Sequence, residues 1–507
     1  MAKRKRQAVT ATDLPTEAKP NKRTKDTTTQ AQLPDEATPT VPETIQIVAG
    51  SYDQVLHGMT ATIGSEKQQA EFADTFLFNA HTSAIRCVAV SPPSAPTPGQ
   101  TQKVLLASGS TDERINIYSL SAHPPTRRGQ DLLAKVAPRA ILENPKNREV
   151  GSLLHHASTV TALRFPSRSK LLSASDDSTV AVARTRDWAV LSTIRAPVPV
   201  PQGRPSGDTA PLGGTPSGVN DLAVHPSMKL MITVSKGERC MRLWNLVTGK
   251  KAGVLNLARD MLIEIGEGRH STGEGRRVVW GSADSADEFA VGFERDIVVF
   301  GMDSVPKCRV LGPSGPRNKI HQFTYINIDV SDKGKKKRKD EDENDGQNEG
   351  LSVLAVSTED GRIAFYSTRA DHLTEPQGTV GPAGKPASLR AARFLGYVGG
   401  KEGGVTGRIK DFAALRSEAN PGLLYLVAAG SDGNVRVWRV GTKKLADTGK
   451  KEKQQQSPLG TLLGTYETRN RITCMTAFLM IPRPEGAEDS EEDLDEDDDD
   501  EDEDDED

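Results

Sequence analysis

An all-β propeller of seven blades, closed by a C-terminal strand that joins the N-terminal blade, is the fold class this sequence predicts. Three observations predict it. Short apolar runs of strand length alternate with turn residues along the body of the chain. A strand–turn–strand unit with an acidic turn recurs seven times, and each chain end lacks what the other supplies.

The repeat is plainest in Ala107-Ser-Gly-Ser-Thr-Asp-Glu-Arg-Ile-Asn-Ile-Tyr118: a strand, a tight turn at Asp112, and a strand alternating at Ile115 and Ile117. The unit returns as Leu172-Ser-Ala-Ser-Asp-Asp-Ser-Thr-Val-Ala-Val-Ala183 around Asp177. It returns again as Val234-Ser-Lys-Gly-Glu-Arg-Cys-Met-Arg-Leu-Trp244 around Glu238. Ala290-Val-Gly-Phe-Glu-Arg-Asp-Ile-Val-Val-Phe300 supplies Glu294, and Val356-Ser-Thr-Glu-Asp-Gly-Arg-Ile-Ala-Phe-Tyr366 supplies Asp360. Ala428-Ala-Gly-Ser-Asp-Gly-Asn-Val-Arg-Val-Trp438 gives Asp432. The earliest copy, Val48-Ala-Gly-Ser-Tyr-Asp-Gln-Val-Leu-His-Gly-Met59, centres on Asp53.

Successive acids lie 59, 65, 61, 56, 66 and 72 residues apart, above the roughly 40–45 usual for a four-stranded blade. Insertions at 92–102, 196–217, 333–350 and 396–407 account for the excess as surface loops. The sixth position after the acid is Tyr118, Trp244, Phe300, Tyr366 or Trp438 in five copies, with Met59 and Ala183 in the other two. In the Asp53 copy Val55 and His57 fall where the alternation belongs, so it reads as slipped in register and as the weakest blade.

A third apolar run precedes most turns: 85–90, 160–165, 219–224 and, less clearly, 409–415. His81, and His155 or His156, stand before two of them. A His ahead of the first strand sharing a buried hydrogen-bond network with the turn acid is the pattern of WD repeats. The Trp-Asp dipeptide is degraded to Trp244-Asn245 and Trp438-Arg439, so a simple pattern search is expected to find only three or four copies. The Asp53 copy has no first strand before it, while 471–478 reads as a first strand with only acidic residues after it. Pairing the two closes the ring and leaves no sheet edge at the join.

Charge divides the chain into parts with different prospects. Residues 488–507 hold 18 acidic side chains, interrupted only by Ser490 and Leu494, and the other 487 residues carry 65 basic against 51 acidic. The body is basic and the tail a polyanion, though the whole sums to −4. Residues 1–44, rich in Lys, Thr, Pro and Ala, read as a disordered basic arm, 45–483 as the propeller and 484–507 as a disordered acidic tail. Lys3, Arg4, Lys5 and Arg6, then Lys22, Arg23 and Lys25, then Lys335, Lys336, Lys337, Arg338 and Lys339 form compact basic clusters. Such runs are candidates for an import receptor or for RNA contact, against the blander reading of a solubilising tail. The acidic tail fits binding of basic proteins such as histones or ribosomal proteins, or shielding of the basic body.

No active site emerges. The seven acids stand one per blade at hairpin turns, where Asp bonds backbone amides, and catalysis needs groups that converge on one reacting atom. His155-His156 lacks a carboxylate or Cys at ligand spacing, and as adjacent strand residues the two are expected to point to opposite faces. The Gly-rich 266–275 lacks Gly-Lys-Ser/Thr and reads as a loop. Cys87, Cys240, Cys308 and Cys474 lie far apart with no CxxC pair, which disfavours zinc and a disulfide framework. No apolar run nears 18 residues, and Met1-Ala-Lys-Arg-Lys-Arg6 lacks the apolar stretch of a secretory signal. The reading is an intracellular docking platform with no catalytic role, metal, cofactor, membrane span or small-molecule substrate.

Several runs carry a narrower resemblance. They are Ile47-Val-Ala-Gly-Ser-Tyr-Asp-Gln-Val-Leu-His-Gly58, His155-His-Ala-Ser-Thr-Val-Thr-Ala-Leu-Arg-Phe165, Val224-His-Pro-Ser-Met-Lys-Leu230, Met241-Arg-Leu-Trp-Asn-Leu-Val-Thr-Gly249 and Arg408-Ile-Lys-Asp-Phe412. Over about 45–480 the chain resembles the p21-activated-kinase-interacting-protein-1 family, including its fungal maintenance-of-killer counterpart; the likeness thins across 259–407. The resemblance implies a nucleolar WD-repeat scaffold for assembly of the large (60S) ribosomal subunit, with pre-60S assembly factors, ribosomal proteins and pre-rRNA as candidate partners. It also implies a second role, since animal members are described as negative regulators of p21-activated kinases. A histone- or chromatin-binding propeller is the remaining alternative, resting on the acidic tail.

Overall fold

The computed structural model describes residues 42–64, 69–97, 100–125, 141, 144, 146–198, 217–267, 271–311, 318–328, 351–375, 389–447 and 458–483. The two arm clusters, Lys335 to Lys339 and the acidic tail lie outside them. Among the described residues no helix is long and apolar enough to cross a membrane.

Seven sheets of antiparallel strands form a WD40 β-propeller, the fifth carrying in addition a two-residue parallel edge strand, Arg390–Ala391. Blade one holds β1 (Glu43–Ser51), β2 (Val55–Ile63) and β3 (Ala70–Asn79). Blade two is β4 (Ile85–Val90), β5 (Lys103–Ser110), β6 (Ile115–Ser121) and β7 (Arg148–Leu153). Blade three is β8 (Val160–Ser167), β9 (Lys170–Ser175), β10 (Thr179–Arg184) and β11 (Val190–Arg195). Blade four is β12 (Val219–Val224), β13 (Leu230–Ser235), β14 (Cys240–Asn245) and β15 (Lys250–Asn256), followed by helix α1 (Arg259–Glu264). Blade five is β16 (Arg277–Ala283), β17 (Ala286–Gly292), β18 (Ile297–Gly301) and β19 (Pro306–Arg309). Blade six is β20 (Ile320–Ile328), β21 (Leu351–Thr358) and β22 (Arg362–Ser367), completed after a short strand β23 (Arg390–Ala391) by β24 (Arg393–Gly399). Blade seven is β25 (Ile409–Arg416), β26 (Leu423–Gly430), β27 (Asn434–Gly441) and β28 (Gly460–Glu467), and β29 (Ile472–Leu479) is the last strand.

β29 pairs antiparallel with β1, from Ile45 opposite Leu479 to Ser51 opposite Ile472, and is the inner strand of blade one. The ring therefore closes non-covalently through both chain ends. β1 begins at Glu43, two residues before the expected start, because Glu43 and Thr44 pair with Ile63 and Thr62.

Two other expectations are corrected. The 396–407 stretch is a loop only in its second part: Gly396, Tyr397, Val398 and Gly399 belong to β24, paired with β22, and 400–407 leads on towards β25. The alternation there is masked because Gly396 lies where a Cβ would meet Leu459 at 2.5 Å. The Asp53 copy has not slipped either. Leu56 fills the third position after the acid, fully buried, and Gly58 takes the fifth, its missing side chain replaced by the Phe76 ring, 2.2 Å from where a Cβ would sit. Eight of the nine β1 residues are buried, so this is no weak blade.

The core lies between blades. Trp438 of blade seven packs with Phe365 of blade six, Trp244 of blade four with Leu172, Ala174 and Val180 of blade three, and Met59 of blade one with Val427 and Val437 of blade seven. Blade three has only Ala183 at the aromatic position; Trp188, from the turn after β10, packs against the interface of blades two and three instead. All four cysteines are free and buried, and burial pushes the Cys87 thiol up to about 12.

Candidate functional site

The seven acids all lie at one end of the propeller, hereafter the turn face, in the hairpin between the second and third strands of each blade. In blades one, two, three, six and seven the residue after the acid adopts a left-handed backbone. It is Gln54 (φ 70), Glu113 (φ 69), Ser178 (φ 63), Gly361 (φ 79) and Gly433 (φ 80). Only a short polar side chain just before that turn can fold back onto the N–H groups it frees. The Asp112 carboxylate accepts from Arg114 N at 3.1 Å, Asp177 from Thr179 N at 2.8 Å and Asp432 from Asn434 N at 3.2 Å.

What differs is the partner on the other carboxylate oxygen. In blade two His81 Nδ1 lies 3.1 Å from Asp112 and its Nε2 lies 2.8 Å from Ser108 Oγ. Blade three repeats this with His156, 3.2 Å from Asp177 and 2.8 Å from Ser173 Oγ. Blades four and seven have no such His and use the arginine four residues on. Arg242 pairs with Glu238, and Arg436 Nη2 donates to Asp432 at 2.9 Å. Asp360 accepts from the Thr358 hydroxyl and from Arg362 N at 3.3 Å. Asp53 accepts only from Arg471 N at 3.2 Å among the bonds of the described residues. Burial opposes ionisation of Asp112, but the N–H groups of Thr82 and Arg114 together with His81 hold its carboxyl below the usual range.

Blade five departs from this plan. Gly292 pairs with Ile297, where blade two pairs Gly109 with Ile115, so its hairpin is one residue shorter. Glu294 consequently occupies the position of Thr111, and its carboxylate faces the neighbouring blade, 2.8 Å from Lys319 and 3.4 Å from Arg276. The buried carboxylate here is Asp296, which accepts from Arg309 at 2.7 Å and from the N–H of Ile297 and Leu311. Sequence reading passed over Asp296; its only signal is a second acid two residues after the first, with an arginine on the next strand.

Tyr118, Trp244, Phe300, Tyr366 and Trp438 are each at most 5% exposed. They fill interfaces and present nothing to a partner, and the polar tip of Trp244 is spent internally, Nε1 donating to the buried Thr233 Oγ1 at 2.8 Å. His155 and His156 are not on a strand and do not diverge: their rings lie 4.4 Å apart, and both reach Ser173 Oγ. Burial first, then the charge of His156, lowers His155 to about 4. The Ser–His–Asp sequences invite comparison with a hydrolase, but Ser108 is fully buried and Ser173 1% exposed, out of reach of a substrate. Among the described residues no group of three His, Cys, Asp or Glu is placed to hold a metal.

The turn face also has a central channel mouth. Five of the seven inner strands, β4, β8, β12, β25 and β29, begin with a buried residue followed by a bulge, which turns one side chain out of the ladder. At that position Thr161 Oγ1 donates to Val219 O at 2.6 Å, Asn220 Nδ2 to Gly275 O at 2.9 Å and Thr473 Oγ1 to Ile85 O at 2.6 Å. Each bond staples a blade to the next. Arg86 and Lys410 hold the same position, and among the described residues neither makes a side-chain hydrogen bond or ion pair. Around the rim Lys236 pairs with Asp176 at 2.6 Å, Lys319 with Glu294 and Arg408 with Glu359 at 2.8 Å, joining blades three to four, five to six and six to seven. This arrangement can bind charged partners at several points of a rigid ring, and its acids and histidines are spent on holding that ring.

The family model described as WD domain, G-beta repeat matches residues 73–119 and 147–182, two stretches where three or four copies were expected. Relatives match much more of the chain. It is 23% identical over 444 residues to a zebrafish (Danio rerio) protein named p21-activated protein kinase-interacting protein 1-like, covering 88% of this chain and 83% of the relative. It is 26% identical over 454 residues to Protein MAK11 of Saccharomyces cerevisiae, covering 85% and 82%. A Schizosaccharomyces pombe protein named Shk1 kinase-binding protein 15 is 26% identical over 214 residues, 42% of this chain and 47% of that one. The homologues thus carry the names of the family that the sequence resembles.

Proposed function

We propose that this chain is a non-catalytic WD-repeat scaffold for nucleolar assembly of the large (60S) ribosomal subunit, docking assembly factors, ribosomal proteins and pre-rRNA. The observation that carries this reading is the extent of the likeness to Protein MAK11, over 85% of the chain, since the family resemblance implies that role. The geometry supports the non-catalytic part: every turn acid is engaged in holding its own hairpin or the neighbouring blade. A rigid ring suits many-point docking because little conformational entropy is lost on binding.

The test is affinity purification of the full chain from nuclear extract, with sequencing of the bound RNA and identification of the bound proteins. Large-subunit precursor rRNA with assembly factors supports the reading. A discrete kinase complex sedimenting far from 60S particles would overturn it in favour of a second reading, a signalling adaptor that occludes a p21-activated kinase. That alternative is favoured by the relatives whose names record kinase binding.

A further inference from the structure

The rim of the turn face is unevenly balanced. From blade three round to blade seven each rim carboxylate named above faces a cation across a blade boundary. Across blades seven, one and two the pattern changes. Lys410, Thr473 and Arg86 occupy the same bulge position on three successive inner strands, and Arg408 and Arg471 sit just before two of those strands. The acids there are engaged: Glu359 pairs with Arg408, Asp411 is half-buried and accepts from Phe412 N and Met475 N, and Asp53 accepts from Arg471 N. Burial first, then the nearby Arg408, Arg471 and Arg86, depresses the Lys410 ammonium, as befits a cluster of like charges at one mouth.

At the edge of this cluster stands Tyr52, 59% exposed. Its backbone N–H donates to Arg471 O at 2.8 Å, which fixes the residue at the hairpin, while the Arg471 guanidinium lies 5.6 Å from its ring centroid. The side chain supports no core and is held beside Arg471, which itself stands with Arg86 near Lys410.

We propose that Tyr52, Arg471, Lys410 and Arg86 form a binding site for single-stranded RNA, with Tyr52 stacking on a base and the three cations taking phosphates. This deepens the ribosomal reading and rests on it only for which RNA is bound. Stacking on an exposed aromatic beside a positively charged groove is how single strands are held without sequence readout. A duplex buries its bases and offers no face to one phenol. An acidic peptide satisfies the cations but leaves Tyr52 without a stacking partner.

The full chain is titrated with a fluorescent oligouridine and with inorganic polyphosphate, and 4-thiouridine crosslinks are mapped to peptides. Tyr52→Ala is expected to weaken oligouridine by roughly 5- to 100-fold and to leave polyphosphate unchanged, while Tyr52→Phe keeps both. The double variant Arg86→Ala with Lys410→Ala is expected to weaken both ligands and to flatten the salt dependence by about two phosphate contacts. Crosslinks should fall on the peptide holding Tyr52, and circular dichroism melts confirm that each variant is folded.

The site is overturned if Tyr52→Ala binds oligouridine like the parent. It is also overturned if crosslinks map only to the basic clusters at 3–25 and 335–339, or if polyglutamate competes as well as RNA whether or not Tyr52 is present. None of these results bears on whether the chain enters pre-60S particles, which the purification above decides separately.

Discussion

The Glu43 carboxylate, at the first residue of β1, accepts a hydrogen bond from the Tyr425 phenol on β26 at 2.8 Å, across 382 residues of sequence. The same carboxylate accepts from Ser417 Oγ, Glu418 N and Ala419 N at 2.8–3.1 Å. Blade seven is thereby tied to blade one at the end opposite the acidic turns. Glu43→Ala leaves the hydroxyls of two buried residues, Tyr425 and Ser417, and two N–H groups without their acceptor. It should cost about 1–3 kcal/mol, read as a shift of the urea midpoint at unchanged slope. A midpoint within error of the parent would show that the closure does not depend on this contact.

Closure itself is testable by shortening the chain. Ending it after Arg483 keeps β29, whereas ending it after Asn470 removes the inner strand of blade one and exposes the β1 edge. The first truncation should melt like the full chain. The second should aggregate or lose its cooperative melt, judged by size-exclusion chromatography and differential scanning calorimetry. If the shorter form stays monomeric with an unchanged midpoint, closure by β29 contributes nothing to stability.

Stability should fall on mild acidification, with histidines setting the window. His155 and His321 are each lowered to about 4, chiefly by burial, and burial also lowers His81 and His156 against the pull of Asp112 and Asp177. An unfolded histidine titrates near 6.5. Between about pH 6.5 and 4 the unfolded chain therefore binds protons that the folded chain refuses, and stability drops as pH falls through that range. Asp112, Asp177 and Asp432, held below their ordinary range, withdraw their contribution only further down. Denaturation midpoints at pH 7.5, 6 and 5 and constant ionic strength check this, and His155→Asn with His321→Gln should flatten the slope. A midpoint that holds or rises from pH 7.5 to 5 contradicts it.

The repeat was legible where the physics is local. An acid before a left-handed turn, then apolar residues three and five positions on, marks a hairpin wherever it occurs, and Asp112, Asp177, Asp360 and Asp432 show it in sequence. Ring closure was legible because an unpaired first strand at one end and a missing one at the other are both visible in the apolar pattern. The partners of the acids were not. His81 reaches Asp112 over 31 residues, and nothing in the local sequence says that Arg242 and Arg436 take that place elsewhere. Gly58 and Gly396 hid strand alternation because a neighbouring side chain, Phe76 or Leu459, occupies their space. The channel mouth was invisible for a similar reason, since Arg86 and Lys410 become neighbours only when the ring closes.

Asp296 and Arg309 form the most consequential pair that sequence did not reveal. Both are less than 10% exposed, and Arg309 donates through Nε at 3.0 Å and Nη2 at 2.7 Å to one oxygen while Ile297 N and Leu311 N serve the other. Removing only the cation leaves a buried carboxylate facing two N–H groups, so Arg309→Met should destabilise the chain by about 3–5 kcal/mol. Neutralising the acid as well restores part of that loss, because Asp296→Asn keeps an acceptor for those N–H groups without a charge to desolvate. The double variant should therefore be more stable than Arg309→Met alone, with a coupling of about 1–3 kcal/mol in a double-mutant cycle. Glu294→Gln, one turn away on the exposed rim, should cost no more than about 1 kcal/mol. If Glu294→Gln were the more damaging change, the buried role in blade five would belong to the residue that the repeat pattern first singled out.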